Sequence, residues 1–107
     1  MSVPTLNEGS RCFVKAKFFD KQENPQIPTS VQYRIDCETT GQNLLDWTFL
    51  TPDTVIEITV DATLNTIISP RNSLERKVLT IKANADPPES AFTETQFWDL
   101  IALEALR

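Results

Sequence analysis

From Pro28 onward the chain alternates. In Pro28-Thr29-Ser30-Val31-Gln32-Tyr33-Arg34-Ile35-Asp36-Cys37, Val31, Tyr33, Ile35 and Cys37 fall on one side, and Gln32, Arg34 and Asp36 on the other. Successive side chains of an extended backbone point to opposite faces, so a period of two marks a strand with one face buried. Leu45, Trp47 and Phe49 repeat the beat. Two such strands, the second centred on a tryptophan, predict the middle of a β-sandwich with Trp47 as the plug between its sheets.

The rest of the chain follows the same rhythm. Strand A is expected at about 11–19, with Cys12, Val14, Ala16 and Phe18 on one face and Phe13, Lys15, Lys17 and Phe19 on the other. Asp20-Lys21-Gln22-Glu23-Asn24-Pro25 is turn chemistry. Asp20 and Glu23 lack the regular ligand spacing of a calcium loop, so the stretch reads as a turn. Strand B covers 29–37, and Gly41 in the next turn is free to take positive φ. Strand C covers 43–50, and Thr51-Pro52-Asp53 turns the chain again. In 54–61, Ile56, Ile58 and Val60 point inward. Leu64 to Ile68 is either a short strand or coil covering the core, and Pro70, Asn72 and Ser73 mark a long connection. From Glu75 to Asn84, Leu79, Ile81 and Ala83 point in, and Arg76, Val78, Thr80 and Lys82 point out. Asp86-Pro87-Pro88-Glu89-Ser90 breaks the chain.

The last segment is open between two readings. Phe97, Ile101 and Leu103 suit a strand, whereas Leu100 to Leu106 has good helix formers. A strand is favoured, because six strands would otherwise leave an unpaired edge. The expectation is an all-β sandwich of about seven antiparallel strands over 11–103, with 1–10 as an N-terminal arm and 104–107 as a tail.

Composition narrows the function. At 107 residues the chain fits one domain. No apolar run approaches the ~20 residues of a membrane span, and the N-terminus has no basic and apolar leader. A net charge of −5 argues against a nucleic-acid partner. No Lys or Arg lies between Arg34 and Arg71, an interval that holds Asp36, Glu38, Asp46, Asp53, Glu57 and Asp61. These form either a solvated acidic face or a docking face for a basic partner. The chain has no histidine, two cysteines and two glycines. That removes the usual general base, the Ser-His and Cys-His nucleophiles, most zinc geometries and a phosphate-cradling loop. No catalytic, cofactor-binding or metal-ligating residues are expected.

Phe13 and Phe19 flank Lys15 and Lys17 on the outer face of strand A. They are candidates for a partner or dimer contact, unless the N-terminal arm covers them. Trp98 is placed outward as a third partner-binding aromatic. Lys15, Lys17, Arg34, Asp36, Glu57 and Asp61 are expected to form a cross-strand charge ladder. If strands A and B pair around the turn at 20–28, Phe18 lies opposite Val31 and Cys12 opposite Cys37. The cysteines are then either free thiols in a reducing compartment or a bridge in an oxidised particle.

The run Asp20-Lys-Gln-Glu-Asn24-Pro25-Gln-Ile-Pro28-Thr-Ser-Val31-Gln-Tyr33, then Asp46-Trp47-Thr48, then Val55-Ile-Glu-Ile-Thr-Val60 resembles small immunoglobulin-like or fibronectin-type-III-like domains of bacteriophage and prophage proteins. The likeness spans about residues 12 to 101 and lies in pattern rather than in a diagnostic motif. It implies a structural or adhesive role in a head or tail, with virion or phage-encoded proteins as partners and the host cytoplasm as the place of assembly. It brings no catalytic residues. The chain lacks the inter-sheet disulfide of antibody domains, because neither cysteine lies on the sixth strand. The alternative is a carbohydrate-binding or adhesion module that uses exposed aromatics.

Overall fold

A computed structural model of the chain describes residues 3–20, 22–69, 71–84 and 92–101, the side chain of Phe92 excepted. The strands are β1 (Thr5–Asn7), β2 (Cys12–Lys17), β3 (Ser30–Cys37), β4 (Asn43–Leu50), β5 (Val55–Val60), β6 (Leu74–Asn84) and β7 (Phe92–Ile101). A single 3₁₀ turn, Ala62–Leu64, lies between β5 and β6, and no α-helix occurs among the described residues. No helix there is long and apolar enough to cross a membrane. The fold is all-β and sandwich-like. A five-stranded sheet in the order β1-β7-β6-β3-β4 faces a two-stranded sheet, β2-β5.

The alternation predicts the inner faces well. Val31, Ile35 and Cys37 of β3, Ile56, Ile58 and Val60 of β5, and Leu79, Ile81 and Ala83 of β6 are buried as expected, whereas β7 buries Trp98 and Leu100, the opposite parity to Phe97 and Ile101. Fully burying a side chain of the size of Val, Ile or Leu contributes about 1.5–3 kcal/mol, so these facing rows hold the layers together. Gly41 takes φ 78° in the turn after β3. The stretch from Asp20 is a turn: one Asp20 carboxylate oxygen accepts from the backbone N–H groups of Gln22 and Asn24, both at 2.9 Å.

Several expectations are corrected. The strands are not all antiparallel, since β1 runs parallel to β7, pairing Thr5 with Asp99 and Asn7 with Ile101. Within the stretch expected as an arm, Thr5–Asn7 therefore joins the sheet. Strands A and B, here β2 and β3, do not pair. β2 pairs β5, with Cys12 opposite Val60, and β3 lies between β4 and β6. The segment between them is too long for a tight hairpin, and it crosses from one sheet to the other. Phe19 and Pro25 bridge within it, and Pro28 is buried. Both cysteines are free thiols. The charge ladder is divided with the sheets: Lys15 faces Glu57 on β2-β5, while Arg34 pairs with Asp36 on β3 at 2.8 Å. Leu64 closes the 3₁₀ turn and residues 65–68 are coil rather than a strand, with Leu64 and Ile67 packed on the core.

The two tryptophans exchange roles. Trp98 is 3% exposed and Trp47 is 37% exposed. The β3–β4 ladder shifts between Tyr33 and Ile35 and again between Ile35 and Asp36. Each shift inserts an extra residue in β4, and an extra residue reverses which face the next side chains take. Leu44, Leu45 and Leu50 therefore pack on the core, while Trp47 and Phe49 face out. The last segment is strand through Ile101. Leu103, the tail at 104–107 and the breaker at 86–90 lie outside the described residues.

Candidate interaction site

Among the described residues β2 and β5 each have one neighbour, the other strand of the pair. The inward residues of β2, Cys12, Val14 and Ala16, are half-buried, while the β5 residues opposite them, Val60, Ile58 and Ile56, are buried. Both strands of this sheet are edges among the described residues, so the difference reflects the open space beside the inner face of β2 rather than its edge position. The Phe18 N–H donates to the Thr54 carbonyl at 3.0 Å. Antiparallel pairing alternates, so Phe18, Ala16, Val14 and Cys12 turn their backbone groups to β5. The N–H and C=O groups of Phe13, Lys15 and Lys17 then point out along the free edge.

A groove runs beside that edge, between β2 and the inner faces of β6 and β7. Its larger part, about 290 Å³, lies between Val14, Lys15, Ala16, Lys17 and Phe19 on one wall and Leu79, Ile81 and Glu94 to Gln96 on the other. A smaller part, about 80 Å³, continues between Phe13 and Cys12 and the Leu6, Phe97 and Trp98 side. Phe13 is 60% and Phe19 54% exposed, so the N-terminal arm does not cover them; it pairs with β7 instead. Trp98, expected to face outward, is buried at the base of the smaller part, where its Nε1 donates to Asn65 Oδ1 at 2.7 Å. The groove walls from β6 and β7 were not legible in the sequence, because strand order leaves no mark in a periodicity. One signal was present. The inward face of β2 is built of the small residues Cys12, Val14 and Ala16, a weak apolar face for a strand in a core.

The interior holds a polar cluster that the alternation missed. Glu75 and Lys77 continue the inward row of β6 and have fully buried side chains, with Lys77 Nζ 3.1 Å from Glu75 Oε1. The same Oε1 accepts the Ile68 N–H at 2.7 Å, and Oε2 accepts from the Ser69 N–H and Asn72 Nδ2, both at 2.9 Å. The Cys37 thiol donates weakly to Glu75 Oε1 at 3.8 Å. Burial pushes the Glu75 carboxyl up, but these backbone and side-chain donors outweigh it and hold it at about 2. Both carboxylate oxygens are engaged and the pair has no exposed surface, so the cluster fastens the connection after β5 to the sheet and offers no reactive group. Nearby, Asn65 Nδ2 donates to the Ser10 carbonyl at 2.7 Å and to the Cys12 sulfur at 3.5 Å. Burial raises the Cys12 thiol above its ordinary value, and the Asn65 hydrogen bond partly offsets this.

The remaining charges do not converge. Asp36 and Asp46 belong to β3 and β4, while Glu57 and Asp61 lie on β5 and just beyond it, so the acidic interval is spread over both sheets. Among the described residues no group of three or more Cys, Asp or Glu is placed to hold a metal ion. On the outer face of the large sheet Trp47 and Phe49 stand exposed, with the Arg34 guanidinium 5.6 Å from the Trp47 ring centre. Compared with protein-family models, curated proteins and solved structures, the chain matches none.

Proposed function

We propose that the chain is a non-catalytic interaction module with an immunoglobulin-like fold, serving as a structural part of a phage or prophage particle. The observation that carries the interaction reading is the edge of β2, unpaired among the described residues, with the groove beside it. The immunoglobulin arrangement sets strands G, F and C in one sheet with C′ beside C, and B and E in the other. The orders β7-β6-β3-β4 and β2-β5 fit it when Cys12–Lys17 is lettered B rather than A. Among the described residues no strand takes the first position beside B on that sheet, and the groove lies there. The lack of histidine and of a glycine loop supports a role without catalysis. The particle setting, with phage-encoded partners and assembly in the host cytoplasm, rests on the sequence resemblance. It is tested by mass spectrometry of purified heads and tails from a lysate encoding this chain. Finding the chain in them supports the reading, and particles that lack it overturn it.

A second reading, a carbohydrate-binding module, draws on Trp47 and Phe49, exposed two residues apart on one face. Flat aromatic surface beside Arg34 suits a sugar ring. A glycan array with hits abolished by Trp47→Ala supports this reading, and an array without hits removes it.

A further inference from the structure

We propose that β2 is completed by strand addition from a partner protein: an extended segment that alternates small apolar residues facing the groove with acidic residues facing solvent. The inference rests on the interaction reading above and specifies its site and partner chemistry. An added strand gains affinity from main-chain hydrogen bonds and specificity from alternate side chains. Both halves of that requirement are present. The free edge offers the backbone groups of Phe13, Lys15 and Lys17, and none of these residues has a hydrogen-bond partner there among the described residues. The groove offers the half-buried faces of Val14 and Ala16 opposite Leu79 and Ile81.

The β4 edge of the large sheet is managed differently. β4 is twice interrupted by register shifts, a device that blunts edge pairing. β2 pairs with β5 without a shift from Cys12 to Lys17 and contains no proline.

Charge selects the occupant. Lys15 and Lys17 point outward beside the edge. Lys15 faces Glu57 across the ladder, whereas Lys17 faces Val55 and has no ion-pair partner among the described residues. Acidic side chains on the outward positions of an added strand meet these two cations, since directly opposed opposite charges stabilise a sheet. Glu94, Lys15 and Lys17 all line the groove, so the alternation of the added strand is set by the apolar contacts of Val14, Ala16, Leu79 and Ile81 rather than by charge. A second copy fits poorly. An antiparallel pair of β2 strands centred on this edge places Lys15 against Lys15 of the other copy, or Lys17 against its Arg11, and like charges directly opposed are destabilising.

The test uses the whole chain and a short synthetic peptide, capped at both ends, that alternates valine with glutamate. Two-dimensional amide NMR with hydrogen exchange reads the site. The expected result is saturable binding with slowed exchange at the amides of Phe13, Lys15 and Lys17. The double variant Lys15→Glu/Lys17→Glu weakens binding by about tenfold or more, as does a peptide with lysine in place of glutamate. Lys15→Pro removes an N–H that points away from β5, so the strand keeps its existing ladder and loses the peptide. If that variant fails to fold, the charge-reversed variant still decides. Absence of saturable binding overturns the proposal. So does binding that protects Trp47 and Phe49 instead, an outcome that leaves the interaction reading in place. Protection of β2 that grows with protein concentration in the absence of peptide assigns the edge to a second copy and also overturns it. Absence of the chain from purified particles touches only the proposed setting.

Discussion

Trp98 and Trp47 show how far one residue's environment decides its contribution. The Trp98 ring is 3% exposed and its indole N–H is satisfied by Asn65, which is itself fully buried and bound to Ser10 and Cys12. Trp98→Ala is expected to cost about 3–5 kcal/mol, the range for emptying a large aromatic site. Asn65→Ala strands the indole N–H and the Ser10 carbonyl in the interior and is expected to cost roughly 2–4 kcal/mol. Trp47→Ala removes an exposed ring and a cation–π contact and is expected to cost no more than about 1 kcal/mol. Urea titration of the three variants checks the order. Fluorescence gives an independent reading: Trp47→Phe should leave blue-shifted native emission from Trp98, and Trp98→Phe should leave solvent-like emission from Trp47. Blue emission from Trp47 would return it to the core and remove the β4 bulges from the account.

At the scale of the element, β6 carries a conflict between pattern and place. Its inward row begins with Glu75 and Lys77 before reaching Leu79, Ile81 and Ala83. The pair survives burial because the donors of Ile68, Ser69 and Asn72 complete the carboxylate. The Glu75 carboxyl lies at about 2 in the folded chain against an ordinary 4.5. A depressed folded value means that the stabilisation is full above pH 4.5, declines as pH falls from there, and is lost near pH 2. The difference corresponds to roughly 3 kcal/mol. Asp36, lowered by its hydrogen bonds to Arg34 and Asn43, titrates in the same direction, so the informative quantity is the difference between wild type and Glu75→Gln. Glu75→Gln should flatten the acid limb of stability and cost about 3–5 kcal/mol at neutral pH, because Lys77 is left buried and unpaired. Glu75→Leu/Lys77→Met should recover most of that loss. Denaturant midpoints measured between neutral and acid pH decide it, and an unchanged acid slope in Glu75→Gln would remove Glu75 as its source.

At the scale of the molecule, what was legible followed from local periodicity and what was not depended on long-range pairing. Val31, Ile35, Ile56, Ile58, Leu79 and Ile81 announce their burial by spacing, and Phe13 and Phe19 their exposure. Nothing in residues 12–37 records that β2 turns to β5 while β3 turns to β6, because the same inward row serves either neighbour. Trp47 misled because bulges reverse a face without altering composition. The three-residue β1 was invisible for a different reason: Thr5–Asn7 is too short to show a period. Its place in the whole is nonetheless specific. It covers the outer edge of β7, with the Asp99 N–H donating to the Pro4 carbonyl and the Glu8 N–H to the Ile101 carbonyl, both at 2.9 Å, and Leu6 packs on the core. Deleting residues 1–7 removes a half-buried leucine and bares the edge of β7. The expected loss is about 2 kcal/mol, a fall in Tm of roughly 10 °C for a domain of this size. Amide exchange at Asp99 and Ile101 should quicken while that at Ile35 and Ile81, in the middle of the sheet, keeps its rank as the slowest. The bared β7 edge should also raise self-association, visible as a sedimentation coefficient that climbs with concentration. An unchanged Tm and unchanged exchange at Asp99 would show that β1 contributes nothing to the sheet it borders.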